Sequence, residues 1–407
     1  MTVCLNQDIL RAMNKKNQKL IYLDHAATTY LDQTVQKRLK PFERKDYGNP
    51  NSMHSAGRRA LAAVDCARKQ VANFLSCAFQ EVVFTSGATE SNNLAIRGVI
   101  KAYQERGVRR PEIITTKIEH RSVLKTCLDL EKEGIGLKYL PVNSDGMVDP
   151  RLLLKLISDS TALVTIMYAN NEIGVIEPIR ELGKIIKKAN GLRKRPIVFH
   201  TDAVQAAQYL DCDIDYLQVD LLSLSGHKLH GPKGIGALFV RRGTPIKPVQ
   251  TGGDQEHGLR AGTLNVAGII GLGKALELVF ESRLENSKKV SRLRDWVIKE
   301  ISNIPEAKII GPIQDKRLPN NIYFRIKGIL GEDLVFIMDN KFNIAIATGS
   351  SCSAGAAEPS TVLLALGLDG RKAKEGIRVT LDQSNTLAEL RFFIKALKKT
   401  VKEISLD

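Results

Sequence analysis

The 407-residue sequence lacks the apolar segments that would place it in a membrane or in a secretory pathway. No apolar stretch reaches the roughly 18–20 residues that are needed to span a bilayer. The N-terminus also lacks the apolar core of a secretory signal. We therefore expect no membrane partner and a cytoplasmic location, with residues 1–20 forming an N-terminal extension to which the sequence assigns no role.

Cysteines are few, and their spacing indicates neither a metal site nor a disulfide framework. The chain has no CxxC pair and no Cys/His cluster with ligand spacing, so neither a zinc site nor a disulfide-stapled fold is predicted. Five of the six cysteines are predicted to be ordinary small buried residues, and Cys352 is the exception. The cysteines are Cys4, Cys66, Cys77, Cys127, Cys212 and Cys352.

Aromatic residues are also scarce, at 5% of the chain, although the formal net charge is +16. Such a charge attracts nucleic acids and acidic proteins over long range. Lys and Arg are, however, spread along the chain with few aromatic residues between them. This pattern favours a solvated basic surface over a dedicated nucleic-acid site, and we expect no direct nucleic-acid partner.

The sequence does contain a regular alternation of apolar runs and helical periodicities, which predicts an α/β fold. The apolar runs predict strands at 81–85, 112–116, 137–140, 162–169 and 196–201. The periodic segments predict helices at 121–133, 150–157 and 177–190. Strands that are almost continuously apolar and that alternate with helices indicate a mostly parallel sheet covered by helices.

Polar residues follow three of these predicted strands, where an open parallel sheet binds its ligands. His120 follows the strand at 112–116, Asn171 follows the strand at 162–169, and Asp202 follows the strand at 196–201. Each residue also has a structural alternative. His120 could cap a helix or lie on the surface, Asn171 could be a turn residue, and Asp202 could be a helix N-cap.

Two further stretches bear on chemistry. The strand that ends at Thr85 runs into Gly87, Ala88 and Thr89 at a helix start, which suits a phosphate but could equally be a simple cap. Lys228 lies in a glycine-rich turn between two apolar runs, where a lysine can form a Schiff base with a carbonyl. The alternative is a solvated loop lysine. Together, these residues predict a site for a planar, phosphorylated aldehyde cofactor.

Six motifs carry a family resemblance. They are YLDHAATT at 22–29, FTSGATESNNL at 84–94, NNEIG at 170–174, HTDAVQ at 200–205, SGHKLHGPKGIG at 225–236 and GLRAGT at 258–263. With them the sequence resembles the cysteine desulfurases, pyridoxal 5'-phosphate enzymes of the class V aminotransferase group, over residues 20–395. The resemblance implies fold type I of the pyridoxal-phosphate transferases, with a mostly parallel seven-stranded sheet. It also implies a large cofactor-binding α/β domain at 21–264 and a small α+β domain at 265–407, packed with the N-terminal segment.

The resemblance further implies a composite site in a homodimer. Lys228 would bind the cofactor covalently, Asp202 would pair with its pyridinium nitrogen, and His120 would stack on its ring and transfer protons. Asn171 would orient substrate and cofactor, and Gln205 would hydrogen-bond the ring hydroxyl. The phosphate would be held by Ala88, Thr89, Ser225 and His227, with Thr263 supplied by the second subunit.

Two residues near the C-terminus would act on the substrate, L-cysteine. Arg378 resembles the family's arginine for the α-carboxylate, although a surface ion pair is the alternative. Cys352 lies between glycines in GSSCSAGAAEP, which indicates an accessible loop and resembles the family's persulfide-carrying loop. The loop length resembles the subgroup that passes sulfur to acceptor proteins. Iron–sulfur scaffolds, tRNA-thiolation proteins and DNA-phosphorothioation proteins are all open as acceptors.

The implied reaction gives L-alanine and a persulfide on Cys352. A selenocysteine lyase or an aminotransferase of the same fold would share Lys228 and Asp202, but the aminotransferase would not need Cys352. A partner-binding scaffold is an alternative from another class. Asp254 departs from the family pattern, which usually has glycine there, and it adds a negative charge near the expected phosphate contact.

Overall fold

The computed structural model describes residues 19–349 and 359–404, which form two compact units. The large unit contains Ala26–Ser287 and Gly311–Leu318. The described residues of the small unit are 19–25, Lys288–Ile310, 319–349 and 359–404. The sequence predicts a domain boundary after residue 264, and this stays a prediction. The compact units of the structure divide after Ser287.

Strands and helices alternate through most of the described chain. The strands are β1 (Ile21–Tyr22), β2 (Val82–Thr85), β3 (Glu112–Thr115), β4 (Gly136–Tyr139), β5 (Thr161–Thr165), β6 (Val198–Asp202), β7 (Leu221–Ser225), β8 (Gly236–Val240), β9 (Ala307–Ile309), β10 (Asn321–Ile326), β11 (Ile344–Ala345) and β12 (Gly376–Thr380). The helices are α1 (Gln33–Leu39), α2 (Pro41–Arg44), α3 (Ser55–Leu75), α4 (Ala88–Glu105), α5 (Arg121–Lys132), α6 (Pro150–Leu156), α7 (Ile179–Asn190), α8 (Ile214–Leu217), α9 (Val266–Ser302), α10 (Gly331–Phe342), α11 (Thr361–Ala365) and α12 (Leu387–Ile404).

The large unit is built on a seven-stranded sheet in the order β2-β8-β7-β6-β5-β3-β4. Neighbouring strands are parallel except where β8 pairs antiparallel with β2 and β7. The predicted mostly parallel seven-stranded α/β sheet is therefore confirmed. The strand order reverses between β3 and β5, because β4 lies outside β3 while β5 lies on its other side. Such a reversal is the usual place for a ligand site in an open α/β sheet.

Helices cover both faces of this sheet, which explains why its strands are apolar on consecutive residues. In β5, for example, Leu163 and Val164 are both fully buried but belong to two separate apolar clusters. One cluster includes residues of α4 and α5, and the other includes residues of α3, α7 and α9. Successive side chains of a strand point to opposite faces, so both faces need an apolar surface.

The small unit contains two further sheets. Strands β12, β10 and β9 form an antiparallel sheet in that order. Strand β1 pairs in parallel with β11. Helices α10 and α12 pack against each other in the same unit. Across the described residues of both units, no helix combines the length and the apolar character needed to cross a membrane.

The cysteine prediction is wrong for one residue. Cys127 and Cys212 are buried as expected, and Cys77 is half-buried, but Cys66 is exposed. Helix α3 buries the face that carries Val64, Val71 and their neighbours, and Cys66 lies off that face. A helix 21 residues long presents only one stripe to the core, so a small apolar residue can still face solvent. Cys4 and Cys352 lie outside the described residues.

Glu177 is a buried carboxyl that makes stability depend on pH. Its Oε2 accepts a hydrogen bond from Val148 N at 3.0 Å, while its Oε1 has no hydrogen-bond partner among the described residues. Burial raises the pKa of Glu177 to about 8. The folded protein therefore holds this proton at a pH at which the unfolded chain has released it.

We expect the contribution of Glu177 to the free energy of unfolding to decrease as the pH rises from about 4.5 to about 8. The sign follows from a folded pKa above the unfolded one, and each pKa unit corresponds to about 1.4 kcal/mol. Urea unfolding across this range should show a shallower loss of stability in Glu177→Gln than in the wild type. The exposed Glu181→Gln in α7 is the control, and parallel curves for the wild type and Glu177→Gln would contradict the prediction.

Candidate active site

The predicted cofactor residues of the large unit gather where the parallel strands end. Thr89 follows β2, His120 follows β3, Asn171 follows β5, Asp202 ends β6, and Ser225 ends β7. The carboxyl ends of parallel strands lie at one edge of a sheet, so these residues share that edge. Their roles at this edge stay predictions from the sequence.

The turn between β2 and α4 has the features of an anion site. Gly87 adopts a φ of +151°, a conformation that favours glycine, and no side chain of the described residues caps the first turn of α4. Ala88 is half-buried and Thr89 is exposed at this turn. A Cβ atom added to Gly87 would lie 3.9 Å from Ser225 Oγ, so a hydroxyl stands beside the free N–H groups. These donors suit a phosphate.

Strand β8 packs directly against the backbone of this turn. Gly236 approaches Gly87 so closely that a Cβ atom at position 236 would lie 2.7 Å from Gly87 Cα. It would also lie 2.6 Å from the carbonyl oxygen of Leu224. Only glycine fits at position 236 without moving the turn.

A second loop is tied to the same helix start. Arg260 Nε donates to Glu90 Oε1 at 2.8 Å, and Ser86 N donates to Glu90 Oε2 at 2.6 Å. Burial acts to raise the pKa of Glu90, but the hydrogen bonds from Arg260 and Ser86 outweigh it and lower the pKa. Thr263 and Asp254 lie exposed in the loop that carries Arg260. The loop is therefore anchored on one side and open on the other.

Lys228 lies in a 3₁₀ turn directly after β7 and is half-buried. Its Nζ donates to the carbonyl oxygens of Ala26 and Ala27 at 2.5 and 2.6 Å. Gln205 Nε2 donates to the same Ala26 oxygen at 3.0 Å. The structure thus brings Lys228 and Gln205 together around one segment of backbone.

His227 joins the same segment through its ring and its backbone. His227 Nδ1 lies 3.2 Å from Thr28 Oγ1, and the His227 carbonyl accepts from Thr29 N at 2.9 Å. Burial, and then the charges of Lys228 and Lys233, lowers the pKa of His227 to about 4. The imidazole is therefore neutral at pH 7 and can donate one hydrogen bond.

Asp202 is buried at the end of β6. Its Oδ1 accepts from Val204 N at 3.0 Å, which is the local turn bond that the sequence allowed as an alternative. Its Oδ2 accepts from Asn92 Nδ2 of α4 at 2.7 Å. The second bond comes from helix α4, which is distant in sequence, so Asp202 does more than stabilise a local turn.

His120 caps helix α5, and its ring is fixed at one nitrogen. Nδ1 accepts from Ser122 N at 3.1 Å and lies 2.8 Å from Ser122 Oγ. His120 is solvent-exposed, but the protein atoms packed around its ring lower its pKa. The nearby charge of Asp202 acts in the opposite direction, and Lys228 and Arg121 lower the pKa further.

Glu119 anchors the segment that carries His120. Its Oε1 accepts from Met167 N at 2.9 Å and from Thr116 Oγ1 at 3.1 Å. Burial, the largest cause, raises the pKa of Glu119 well above its usual range. The bond to Met167 ties the segment after β3 to the segment after β5.

Two polar residues near the site, Asn170 after β5 and His200 on β6, have structural roles. Asn170 Oδ1 accepts from Glu172 N and Ile173 N at 2.8 and 2.9 Å, so Asn170 shapes the turn that presents half-buried Asn171. His200 is fully buried, and its ring nitrogens contact Thr165 Oγ1 and Ser223 Oγ at 2.8 and 3.0 Å. His200 is therefore a link between strands of the core.

Sequence reasoning missed Asn92, Ser122 and Glu119. Asn92 and Ser122 are buried polar residues on helices whose other buried residues are mostly apolar. A polar residue on the apolar stripe of a helix was the available signal, because burial of a polar group requires a partner. The identity of that partner depends on tertiary packing.

Two predicted substrate residues belong to the small unit or lie outside the described residues. Arg378 belongs to the small unit, is buried in β12, and donates from Nη2 to Asp24 Oδ1 at 2.7 Å. Cys352 lies outside the described residues. Within residues 19–349 and 359–404, no cluster of His, Cys, Asp or Glu side chains is arranged to hold a metal ion.

Comparison with known proteins identifies the family. The profile of the class-V aminotransferases matches residues 21–393. A curated cysteine desulfurase, IscS of Dictyoglomus turgidum, is 44% identical over 385 residues, which cover 94% of this chain and 95% of the relative. The chain belongs to the cysteine desulfurases of the class-V aminotransferase family. The resemblance that the six motifs carried is thereby confirmed.

Solved structures agree with this membership. A NifS-like protein superposes with a TM-score of 0.87 at 38% identity and covers 94% of this chain and 100% of its own. A structure described as SspA in complex with cysteine has a TM-score of 0.77 at 34% identity, with 90% and 100% coverage. The fold prediction for this family is therefore confirmed, and enzymes of the family depend on pyridoxal phosphate.

Proposed function

We propose that this member of the cysteine desulfurases binds pyridoxal 5'-phosphate on Lys228 and removes sulfur from L-cysteine. The observation that carries the proposal is the convergence of Lys228, Asp202 and Ser225 with the uncapped first turn of α4 at one sheet edge. The relatives named as cysteine desulfurases and the neighbour in complex with cysteine support the reaction and the substrate.

The donor set fits each part of the cofactor. The N–H groups at Ala88 and Thr89 and the hydroxyl of Ser225 suit its phosphate, with neutral His227 as a further donor. Asp202, held by two hydrogen bonds, suits the protonated ring nitrogen. Gln205 would donate to the ring hydroxyl, and His120 would stack on the ring. The bound cofactor would serve as an electron sink for the substrate carbon.

The chain's own residues would bind the substrate and move its protons. Lys228 can take a proton from the substrate Cα once its Nζ is neutral, and His120 can exchange a proton at Nε2 because Nδ1 is engaged by Ser122. Asn171 would orient the substrate amino group, and Arg378 would bind its carboxylate through a bidentate guanidinium.

Cys352 would receive the sulfur. Its thiolate attacks the substrate sulfur, and the carbon–sulfur bond breaks with its electron pair left on the substrate carbon. The carbon gains a proton and leaves as L-alanine, while Cys352 keeps the sulfur as a persulfide. A thiol reductant or an acceptor protein then takes the sulfur. Scaffold, tRNA-thiolation and related proteins are the acceptor classes that we propose.

The protein is further proposed to act as a homodimer. Thr263 is exposed in its anchored loop, which supports a contact with the phosphate bound by a second subunit. The cytoplasmic location and the absence of a nucleic-acid partner stay predictions from the sequence.

We expect wild-type protein with L-cysteine and a thiol reductant to release sulfide and alanine in equal amounts. Cys352→Ser should keep the cofactor's visible absorbance but lose both products by at least about 100-fold, the lower end of what a positioned catalytic group contributes. Parallel assays of sulfide and alanine, with absorbance spectra of each protein, make this comparison.

The exposed Cys66→Ser variant is the matched control and should retain wild-type turnover. Turnover that survives in Cys352→Ser would assign the sulfur transfer to another group. A wild-type protein that binds the cofactor but yields neither product would contradict the desulfurase proposal itself.

A further inference from the structure

A continuous hydrogen-bond chain joins His120 to Asp202 through Asn92 and Ser122, neither of which contacts the substrate in the proposed mechanism. Asn92 Nδ2 donates to Asp202 Oδ2 at 2.7 Å and to Ser122 Oγ at 2.8 Å. Ser122 Oγ lies 2.8 Å from His120 Nδ1. Asn92, Ser122 and Asp202 are all buried. The chain therefore links a helix cap on α5 to a strand end on β6 by way of α4.

The chemistry of the partners fixes the direction of every bond. A carboxylate accepts only, so the Asn92 amide must present its NH₂ group to Asp202. Both amide hydrogens are then used, one toward Asp202 and one toward Ser122. Asn92 Oδ1 has no hydrogen-bond partner in the part of the chain that the structure describes.

The direction continues to the imidazole. Ser122 Oγ accepts from Asn92, which leaves its own hydrogen to donate to His120 Nδ1. Ser122 N also donates to Nδ1 at 3.1 Å. Two donors aimed at Nδ1 require a lone pair there, so neutral His120 carries its proton on Nε2. A proton added at Nδ1 would face both donors.

The charges around His120 act on the same equilibrium. Asp202 favours the imidazolium, whereas Lys228 and Arg121 disfavour it, and burial lowers the pKa most. Burial raises the pKa of the preceding residue, Glu119, well above its usual range. The negative charge of Asp202 thus favours the protonated ring, and the hydrogen bonds donated to Nδ1 oppose that protonation.

We propose that Asn92 and Ser122 are positioning residues. They hold His120 neutral, with its proton on Nε2, and they fix the orientation of the Asp202 carboxylate. One amide serves both ends, because one of its hydrogens goes to the Asp202 carboxylate and the other to Ser122 Oγ. The benefit to catalysis rests on the proposed function, whereas the protonation state of His120 does not.

The test measures the protonation state of His120 in full-length protein. Protein labelled with ¹⁵N-histidine is titrated by NMR, and His120→Gln identifies the signal among the seven histidines. Wild-type His120 should show an unprotonated Nδ1 and a protonated Nε2 at pH 7. Ser122→Ala and Asn92→Ala should each raise the pKa of His120 by about 0.5–1 unit, the shift expected for loss of one hydrogen bond.

Matched variants separate this role from general packing. Thr126→Val, one turn further along α5, removes a buried hydroxyl that donates to the Ser122 carbonyl and not to His120, and it should leave the titration unchanged. Ser122→Thr keeps a hydroxyl and should restore the wild-type titration. If Asn92→Ala does not fold, the Ser122→Ala and Ser122→Thr pair decides.

Two results would overturn the inference: a proton on Nδ1 in neutral wild-type His120, or a titration of Ser122→Ala that matches the wild type. Kinetics provide a second readout, in which Ser122→Ala should lower kcat for L-cysteine more than it changes KM. A protein with the expected histidine titration and no turnover of L-cysteine would contradict the proposed function and leave the inference standing.

Discussion

Lys228→Ala is expected to abolish turnover of L-cysteine and to prevent covalent attachment of the cofactor. The loss should reach at least about 10⁴-fold, the upper range for a positioned group that transfers protons. The reason is the position of Lys228, which lies directly after β7 at the edge of the sheet that carries the other predicted cofactor residues. Its Nζ is held there by the carbonyl oxygens of Ala26 and Ala27. Product assays and peptide mass spectrometry after borohydride reduction measure the two effects.

The matched control is Lys233→Ala, which removes an exposed lysine from the same glycine-rich turn. It should retain turnover within about twofold, because a surface charge contributes little at this distance from the reacting atoms. A reduced adduct on any residue other than Lys228, or turnover above about a hundredth of wild type in Lys228→Ala, would refute the assignment.

Arg68→Ala is expected to lower the free energy of unfolding by about 3–5 kcal/mol, the cost of leaving a buried charge unpaired. Arg68 of α3 donates from Nη1 and Nη2 to Glu256 at 2.9 and 2.5 Å, and both side chains are under 10% exposed, at 7% and 1%. Glu256 also accepts from Phe84 N at 2.7 Å. Urea unfolding of full-length protein measures the change.

Helix α3 supplies its own control. Arg59 pairs with Asp46 at 3.2 Å, but its side chain is 58% exposed, so Arg59→Ala should cost no more than about 1 kcal/mol. Combining Arg68→Met with Glu256→Gln removes both buried charges and should recover part of the loss. Equal losses in the free energy of unfolding for Arg59→Ala and Arg68→Ala would show that the buried pair stabilises the protein no more than the exposed pair does.

The order of strands and helices followed from sequence because each element has its own periodicity. Predicted strands at 112–116 and 137–140 correspond to β3 and β4, and predicted helix 177–190 corresponds to α7. The strand predicted at 162–169 ends early, at Thr165. Its last residues are apolar because they are buried. Ile166 N and Tyr168 N still donate to β6, but Met167 N donates to the Glu119 side chain.

The site was predictable where its residues lie at strand ends or in glycine-rich turns. Lys228 has both signals and Asp202 has the first, and the motifs of a known family added their roles. The contacts of Asn92 and Arg68 could not be predicted, because their partners lie 110 and 188 residues away along the chain. A hydrogen-bond partner at such a separation is set by how helices pack on the sheet, which no local pattern encodes.

The close approach of Gly236 to Gly87 also limits how this sequence can vary. Strand β8 contributes no predicted site residue, yet a methyl group at position 236 would displace the turn that offers its N–H groups to an anion. A side chain at position 236 therefore requires a backbone shift at Gly87, whereas Gly87 is restricted by its own φ of +151°. The antiparallel strand is thus constrained by the turn that it supports.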